Sequence, residues 1–120
     1  MRVLVCGGRD FLDSVLLGKV LDGLTPRPTL ILHGAARGAD RLAGEFASAQ
    51  GIAQRAFPAQ WSQFGREKRV AQMLSLGKPE LVVAFPGGRG TADMVRKARA
   101  AGVRVMAVFP NGVTRCEAGA

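Results

Sequence analysis

The sequence predicts a single three-layer α/β domain with a five-stranded parallel sheet, and three observations support this prediction. The chain of 120 residues has the length of one domain, and its 48% hydrophobic and 22% charged residues are an ordinary globular composition. Short apolar runs alternate along it with longer stretches of helical spacing. Glycine-rich turns follow three of these runs. Such alternation is typical of a parallel sheet with helices on both faces.

Five runs rich in apolar and β-branched residues are the predicted strands, and we expect all of them to be buried. They are Arg2 to Cys6, Thr29 to His33, Ala53 to Phe57, Leu81 to Phe85 and Arg104 to Phe109. Because crossovers between parallel strands are right-handed, the predicted order is 3-2-1-4-5, with the first and fourth strands adjacent at the switch point. The domain is predicted to span residues 1–109, followed by a loosely held tail over residues 110–120.

Helices are predicted between the strands from apolar residues three or four positions apart. Asp13 is expected to cap the first helix and Thr91 the last, because their side-chain oxygens can accept from the unpaired N–H groups of a first turn. Gly77 and Gly102 stand where two of the helices should end, since glycine adopts the left-handed conformation without a Cβ penalty.

Charge and composition narrow the range of partners. Seventeen Lys and Arg residues against nine Asp and Glu leave a net charge of +8, which favours an anionic partner. Nucleotide, nucleic acid and simple solubility all remain open on charge alone. No apolar stretch approaches about 18 residues and no secretory signal begins the chain, so a cytoplasmic protein without a membrane partner is expected. Cys6, Cys116 and a single histidine predict neither a disulfide framework nor a metal site, and no cofactor is expected.

Three glycine-rich turns follow the first, second and fourth predicted strands. They should meet at the carboxyl edge of the sheet, where ligands bind in open α/β folds. Glycine lets the backbone approach a ligand, the following helix start attracts an anion, and arginine clamps phosphate oxygens. A phosphate-bearing ligand is therefore predicted. The candidate ligand-binding residues in these turns are Gly7, Gly8, Arg9, Gly34, Arg37, Gly38, Asp40, Pro86, Gly87, Gly88, Arg89, Gly90 and Thr91.

Other nucleotide-binding and catalytic fingerprints are missing from the sequence. Gly7-Gly8 does not fit GxGxxG and no GxxxxGK[ST] occurs, which removes the main support for a dinucleotide-binding dehydrogenase or a P-loop NTPase. The serines lie in helical stretches, so no serine-hydrolase triad is indicated. His33 stands at a strand end and is expected to point toward the ligand rim.

Four stretches together resemble a known family. VLVCGGRDF, ILHGAARGADRLAGEFA, FPAQW and VVAFPGGRGTADM are similar to the YspA-like branch of the SLOG superfamily, and the resemblance covers about residues 1–109. That superfamily gathers Rossmann-like nucleotide-binding domains related to lonely-guy phosphoribohydrolases and the DNA-processing protein A. The resemblance implies a Rossmann-like fold, a nucleotide-type ligand bound at the PGGxGT motif of Pro86 to Thr91, and a homodimer.

The resemblance also implies where catalysis would take place. Arg69, four residues before Met73, matches an arginine of the lonely-guy site and joins the candidate ligand-binding residues, while the catalytic glutamate of those enzymes falls on Met94. Asp93 is the nearest carboxylate, so Asp93 and Arg69 are the candidate catalytic residues. One position on a helix is about 100° of rotation, so Asp93 does not simply replace the glutamate. Asp10 and Asp40 are alternatives on the rim, although aspartate there also suits turns and helix caps.

Three functions remain open. The favoured one is a sensor or ligand-binding module for a nucleotide or nucleotide derivative, because the matching glutamate is missing. The alternatives are a phosphoribohydrolase or related N-glycosidase on nucleoside monophosphates or NAD-like molecules, and single-stranded nucleic-acid binding. Phe64 is assigned to the core, and Trp61 could either stack on a base or fill the core. Arg66, Lys68 and Arg69 at the start of the third helix indicate a nearby anion. The homodimer interface is expected near residues 66–73.

Overall fold

The computed structural model describes residues 1–57 and 73–117, which form an α/β domain around one sheet. Residues 73–77 are helical and precede the fourth strand. The other elements in chain order are β1 (Arg2–Cys6), α1 (Ser14–Asp22), β2 (Leu30–His33), α2 (Ala39–Gln50), β3 (Ala53–Ala56), β4 (Leu81–Ala84), α3 (Arg89–Ala100), β5 (Arg104–Val108) and β6 (Thr114–Glu117).

The sheet has the order β3-β2-β1-β4-β5-β6. Its first five strands are parallel, and β6 pairs antiparallel with β5, with Val108 opposite Thr114. The predicted single α/β domain with a mostly parallel sheet is confirmed. The prediction of five all-parallel strands is wrong by one strand, because the segment after Pro110 returns along β5 rather than forming a tail. Gly112, with φ of +87°, donates its N–H to the Phe109 carbonyl at 2.9 Å and makes this reversal possible.

Two hydrophobic clusters lie on the two faces of the sheet, as a three-layer architecture requires. On one face Val3, Val5 and Ile31 pack against Leu17 and Leu21 of α1 and the alanines of α2. On the other face the strand residues pack against α3, and that cluster contains Leu4, Leu32, Val82, Met94 and Ala98. Because β1 and β4 are covered on both faces, their loops start from a rigid base.

The third strand is the exception to the predicted burial. Residues Ala53, Gln54 and Arg55 of β3 are exposed, so the expectation that all five strands are buried is wrong for this one. The strand pairs with β2 and stands last in the described sheet order. An edge position leaves polar residues in contact with solvent, which explains the sequence AQRA.

The helix ends confirm one predicted cap and correct the other. The Asp13 carboxylate accepts from the Leu16 N–H at 3.0 Å and caps α1 as predicted. Thr91 does not cap α3, because the helix already begins at Arg89 with Gly88 as its N-cap. Gly102 follows α3 with φ of +79°, as expected. The helical stretch 73–77 does end at Gly77, where a Cβ would come within 2.9 Å of the Leu32 side chain, so Gly77 packs closely on β2.

No helix within residues 1–57 or 73–117 has both the length and the apolar character needed to cross a membrane.

Candidate functional site

A cleft of about 460 Å³ opens at the carboxyl ends of β1 and β4, the two adjacent strands at the centre of the sheet. This is the switch point at which chain connections leave in opposite directions, and ligands bind there in open α/β sheets. The lining residues are Val5, Cys6, Gly7, Gly8, Arg9, Gly34, Ala36, Asp40, Met73, Gly88, Arg89, Gly90, Thr91 and Met94.

The loops after β1 and β4 are joined through their backbones. The Gly8 N–H donates to the Pro86 carbonyl at 2.9 Å. A Cβ at Gly7 would lie 2.5 Å from the Ala39 Cβ of α2 and 3.0 Å from the Phe85 Cβ after β4, and one at Gly87 would lie 2.6 Å from the Gly8 nitrogen. Glycine is therefore required at both positions because the two loops pass each other with no room for a side chain.

The loop after β2 is attached to the same framework. The Ala39 N–H donates to the Gly8 carbonyl at 3.2 Å. Gly38 has φ of +81°, and a Cβ on it would collide with the Gly8 carbonyl oxygen. The first turn of α2 thus packs directly on the β1 loop, and its second residue, Asp40, becomes part of the cleft wall.

Asp40 is the buried carboxylate of the site, with 9% of its surface exposed. Its Oδ2 accepts from the Gly34 N–H at 2.9 Å, which fixes the carboxylate against the end of β2. Burial raises the pKa of the Cys6 thiol well above its usual range, and the nearby charge of Asp40 raises this pKa further. The thiol is therefore protonated, so Cys6 behaves as a small apolar group on the cleft floor.

The side of the cleft formed by α3 is suited to an anion. Gly88 is the N-cap of α3, and no side chain of the described residues caps this helix start. The first N–H groups of a helix have no intrahelical acceptor and form the positive end of its dipole. Arg9 and Arg89 line the same cleft, and both are exposed. Backbone donors and guanidinium groups can together hold the oxygens of a phosphate.

Most predicted ligand-binding residues come together in this cleft. Those that line it are Gly7, Gly8, Arg9, Gly34, Asp40, Gly88, Arg89, Gly90 and Thr91. Gly38, Pro86 and Gly87 are not among the lining residues but make the loop contacts that shape it. Arg37 is not in the cleft. It lines a neighbouring groove and forms an exposed ion pair with Asp10 at 3.6 Å.

Asp93, a predicted catalytic residue, does not line the cleft. Its carboxylate bonds Arg96 one turn further along α3 and lies 3.3 Å from the Lys97 amine. The hydrogen bond from Arg96 is the main reason that the pKa of Asp93 lies below its ordinary value, and Lys97 adds to the effect. Met94, one residue later, faces the cleft instead. The other predicted catalytic residue, Arg69, lies outside the described residues, as do Trp61, Phe64, Arg66 and Lys68.

His33 faces the neighbouring groove rather than the cleft. The Ala35 N–H donates to its Nδ1 at 3.1 Å, so Nε2 carries the proton and donates to Gln54 Oε1 at 3.0 Å. Nδ1 therefore binds the loop after β2, Nε2 joins β2 to β3, and both ring nitrogens are engaged. Within the ranges 1–57 and 73–117 no group of three His, Cys, Asp or Glu side chains could hold a metal ion.

The residues that sequence reasoning missed are apolar. Met73 and Met94 form one wall of the cleft with only 3% and 4% of their surfaces exposed, and Val5 contributes to it. Such residues look like core in a sequence. Only the position of Met94 in the sequence indicated that it lies in the site. It stands three residues after Thr91, where the lonely-guy pattern has its catalytic glutamate.

Comparison with known proteins places this chain in a family. Residues 1–64 match the family model of the YspA, cpYpsA-related SLOG family. The chain belongs to this family. It is also 32% identical over 119 residues to the Gene 61 protein of Mycobacterium phage D29, an alignment covering 88% of this chain and 94% of that protein. Membership of the SLOG family indicates a nucleotide-related ligand-binding or processing role.

Proposed function

We propose that this SLOG protein is a sensor or ligand-binding module that holds a nucleotide or nucleotide derivative in the cleft between the β1 and β4 loops. The observation that carries the proposal is the start of α3. It has Gly88 at its N-cap, it opens into the cleft, and Arg9 and Arg89 flank it. Backbone N–H groups, a helix dipole and two guanidinium groups directed at one space bind phosphate oxygens.

Binding is favoured over hydrolysis because of the side chain that occupies the catalytic position. Cleavage of an N-glycosidic bond needs a carboxylate against the ribose, either to activate water or to stabilise an oxocarbenium-like transition state. Met94 lines the cleft at that position, and the carboxylate of Asp93 is engaged by Arg96 and Lys97. A thioether cannot perform this chemistry.

The test is calorimetric titration with AMP, ADP and inorganic phosphate. Arg89→Ala should weaken binding of each phosphate-bearing probe about ten-fold or more, because a charge-assisted contact is lost. Arg96→Ala is the matched control, since it removes an exposed arginine of the same helix that does not line the cleft. Equal affinity of wild type and Arg89→Ala for all three probes would refute the proposed phosphate site.

A phosphoribohydrolase remains the second candidate, and the buried carboxylate of Asp40 in the cleft favours it. Chromatography of the same nucleotide mixtures after long incubation detects any released base. Release of base by wild type that is lost in Asp40→Asn would identify the protein as a hydrolase that uses Asp40. Nucleotide that stays intact supports a binding module.

Single-stranded nucleic-acid binding is tested through its salt dependence. Counterion release makes the affinity for an oligonucleotide fall steeply with salt, in proportion to the number of phosphates contacted. Titration of a labelled oligonucleotide and of AMP at two salt concentrations separates the two kinds of ligand. Tight, salt-sensitive oligonucleotide binding that survives Arg89→Ala would favour nucleic-acid binding as the function that the net charge of +8 serves.

A further inference from the structure

The carboxylate of Asp40 is a buried negative charge in a cleft whose opposite side is suited to an anion. Asp40 is nine-tenths buried and lines the cleft together with Gly88 and Arg89. An ionised carboxylate only accepts hydrogen bonds. It therefore repels phosphate and attracts a part of the ligand that donates. Asp40 is one of the candidate ligand-binding residues predicted from the sequence, and its charge assigns it to a donor group of the ligand rather than to the phosphate.

The position of Asp40 is fixed by its neighbours. The Gly34 N–H donates to Oδ2 at 2.9 Å, and the Ala39 N–H donates to the Gly8 carbonyl at 3.2 Å. These bonds hold the first turn of α2 against both the β2 end and the β1 loop. Cys6 beside it carries a neutral thiol, so Asp40 supplies the negative charge on this side of the cleft.

The two charged sides are separated by the β1 loop. Helix α2 follows β2 and α3 follows β4, and these two strands flank β1 in the sheet. Since neighbouring strands lie about 4.8 Å apart, the ends of β2 and β4 that lead into these helices are about 10 Å apart. The lining of the cleft also includes Met73 and Met94, whose polarisable apolar side chains suit the face of a base.

We infer that the cleft selects a ribose 5-phosphate unit, with the phosphate at the start of α3 and the ribose hydroxyls donating to Asp40. A base on this sugar then lies against Met73 and Met94. The inference rests on the proposed function and narrows its ligand class to ribonucleotides. Asp40 acts here as a specificity-determining residue, because a 2-deoxy sugar offers it one donor fewer.

The test uses ribose 5-phosphate, 2-deoxyribose 5-phosphate and inorganic phosphate as probes in calorimetric titrations. Wild type should bind the ribose compound about ten-fold more tightly than the deoxyribose compound, as expected for a hydrogen bond to a charged group. Asp40→Asn keeps an oxygen for the Gly34 N–H but removes the charge. It should reduce this preference to below about three-fold, while its affinity for inorganic phosphate stays the same or rises.

Glu45→Gln is the matched control, because it removes one negative charge from an exposed position of the same helix outside the cleft. It should leave the ribose preference unchanged.

Equal binding of the two sugar phosphates to wild type would overturn the inference. Equal losses of affinity for ribose 5-phosphate and for inorganic phosphate in Asp40→Asn would overturn it too. If wild type binds no phosphate-bearing probe at all, the proposed function fails, and the inference fails with it. If AMP binds through Arg89 without discrimination at the sugar, the inference alone fails.

Discussion

Gly87 and Gly88 are consecutive residues that are glycine for different reasons. A Cβ at Gly87 would collide with the Thr91 hydroxyl and would lie 2.6 Å from the Gly8 nitrogen. A Cβ at Gly88 would meet no atom of the described residues within 4 Å, yet Gly88 lines the cleft. The protein therefore needs a glycine at position 87 for its own packing. Packing of the described residues does not require one at position 88, where under the proposed function it leaves room for a ligand close to the α3 backbone.

Alanine substitutions at these two positions should separate stability from binding. Gly88→Ala is expected to lower the free energy of unfolding by no more than about 1 kcal/mol, the cost of a poorer N-cap. It should weaken AMP binding, because its methyl group occupies the space of the phosphate. Gly87→Ala is expected to cost about 1–3 kcal/mol through overpacking. Urea denaturation and calorimetric titration of both variants check this. If Gly88→Ala loses stability while its folded fraction binds AMP normally, Gly88 is a structural turn residue.

Asp93 should contribute to stability in a pH-dependent way. Its bonds to Arg96 and Lys97 lower the pKa of the folded carboxyl below the ordinary value of 3.8. The unfolded state therefore binds more protons near that pH. The stabilisation is complete at pH values well above 3.8 and is lost as the pH falls through the lower, folded-state pKa.

The expected cost of Asp93→Asn at pH 7 is about 0.5–1 kcal/mol, typical of two charge pairs along one helix. The cost should shrink toward zero at the acid end of the pH range in which the protein still folds. Urea denaturation of wild type and variant at several pH values measures it. A cost that does not change with pH would mean that Asp93 acts through packing rather than through its charge.

At the scale of elements, β6 adds an antiparallel edge to an otherwise parallel sheet. The turn before it depends on Gly112, whose φ of +87° lies in the left-handed region that side chains disfavour. Across the turn, the N–H of Phe109 donates to the Val113 carbonyl at 2.8 Å and closes the hairpin. The strand thus depends on a single backbone conformation.

Gly112→Ala should accordingly lower the free energy of unfolding by about 1–2 kcal/mol. Gly23→Ala is the control, because Gly23 at the end of α1 has φ of −79° and a Cβ there would make ordinary contacts from 3.4 Å outward. That variant should stay within about 0.5 kcal/mol of wild type. Equal losses in both variants would contradict the role given to the turn.

Local patterns predicted those parts of the structure that depend on neighbouring residues. The Asp13 cap follows from its spacing to Leu16, and the cleft follows because parallel strands end at one edge of the sheet. The strand TRCE was not predictable, since it lacks an apolar alternation and owes its position to pairing with β5. The direction of His33 was not predictable either, because it depends on Gln54 from the next strand.

At the scale of the whole molecule, exposed apolar side chains lie on opposite sides of the sheet. Leu12 precedes α1 and is 77% exposed, and α1 packs on the sheet face that contains Val3 and Val5. Leu76 is 56% exposed in the helical stretch 73–77, next to Gly77, which packs on Leu32 of the other face. Met73, one turn before Leu76, lines the cleft. A partner that covers Leu76 would therefore also support the cleft wall.

We propose that the protein is a homodimer whose interface includes Leu76. The sequence predicts the interface near residues 66–73, of which the structure describes only residue 73. Leu76→Glu should shift the protein to the monomer in sedimentation velocity experiments and weaken AMP binding, because the cleft wall loses its support. Leu12→Glu, an equal change on the other face, should remain dimeric.

Two copies that each carry a charge of +8 repel one another, so the wild-type dimer should strengthen as salt is raised from low concentration. A wild-type protein that is monomeric at high concentration and still binds AMP would show that the site needs no dimer. Dissociation by Leu12→Glu but not by Leu76→Glu would place the interface on the α1 face instead.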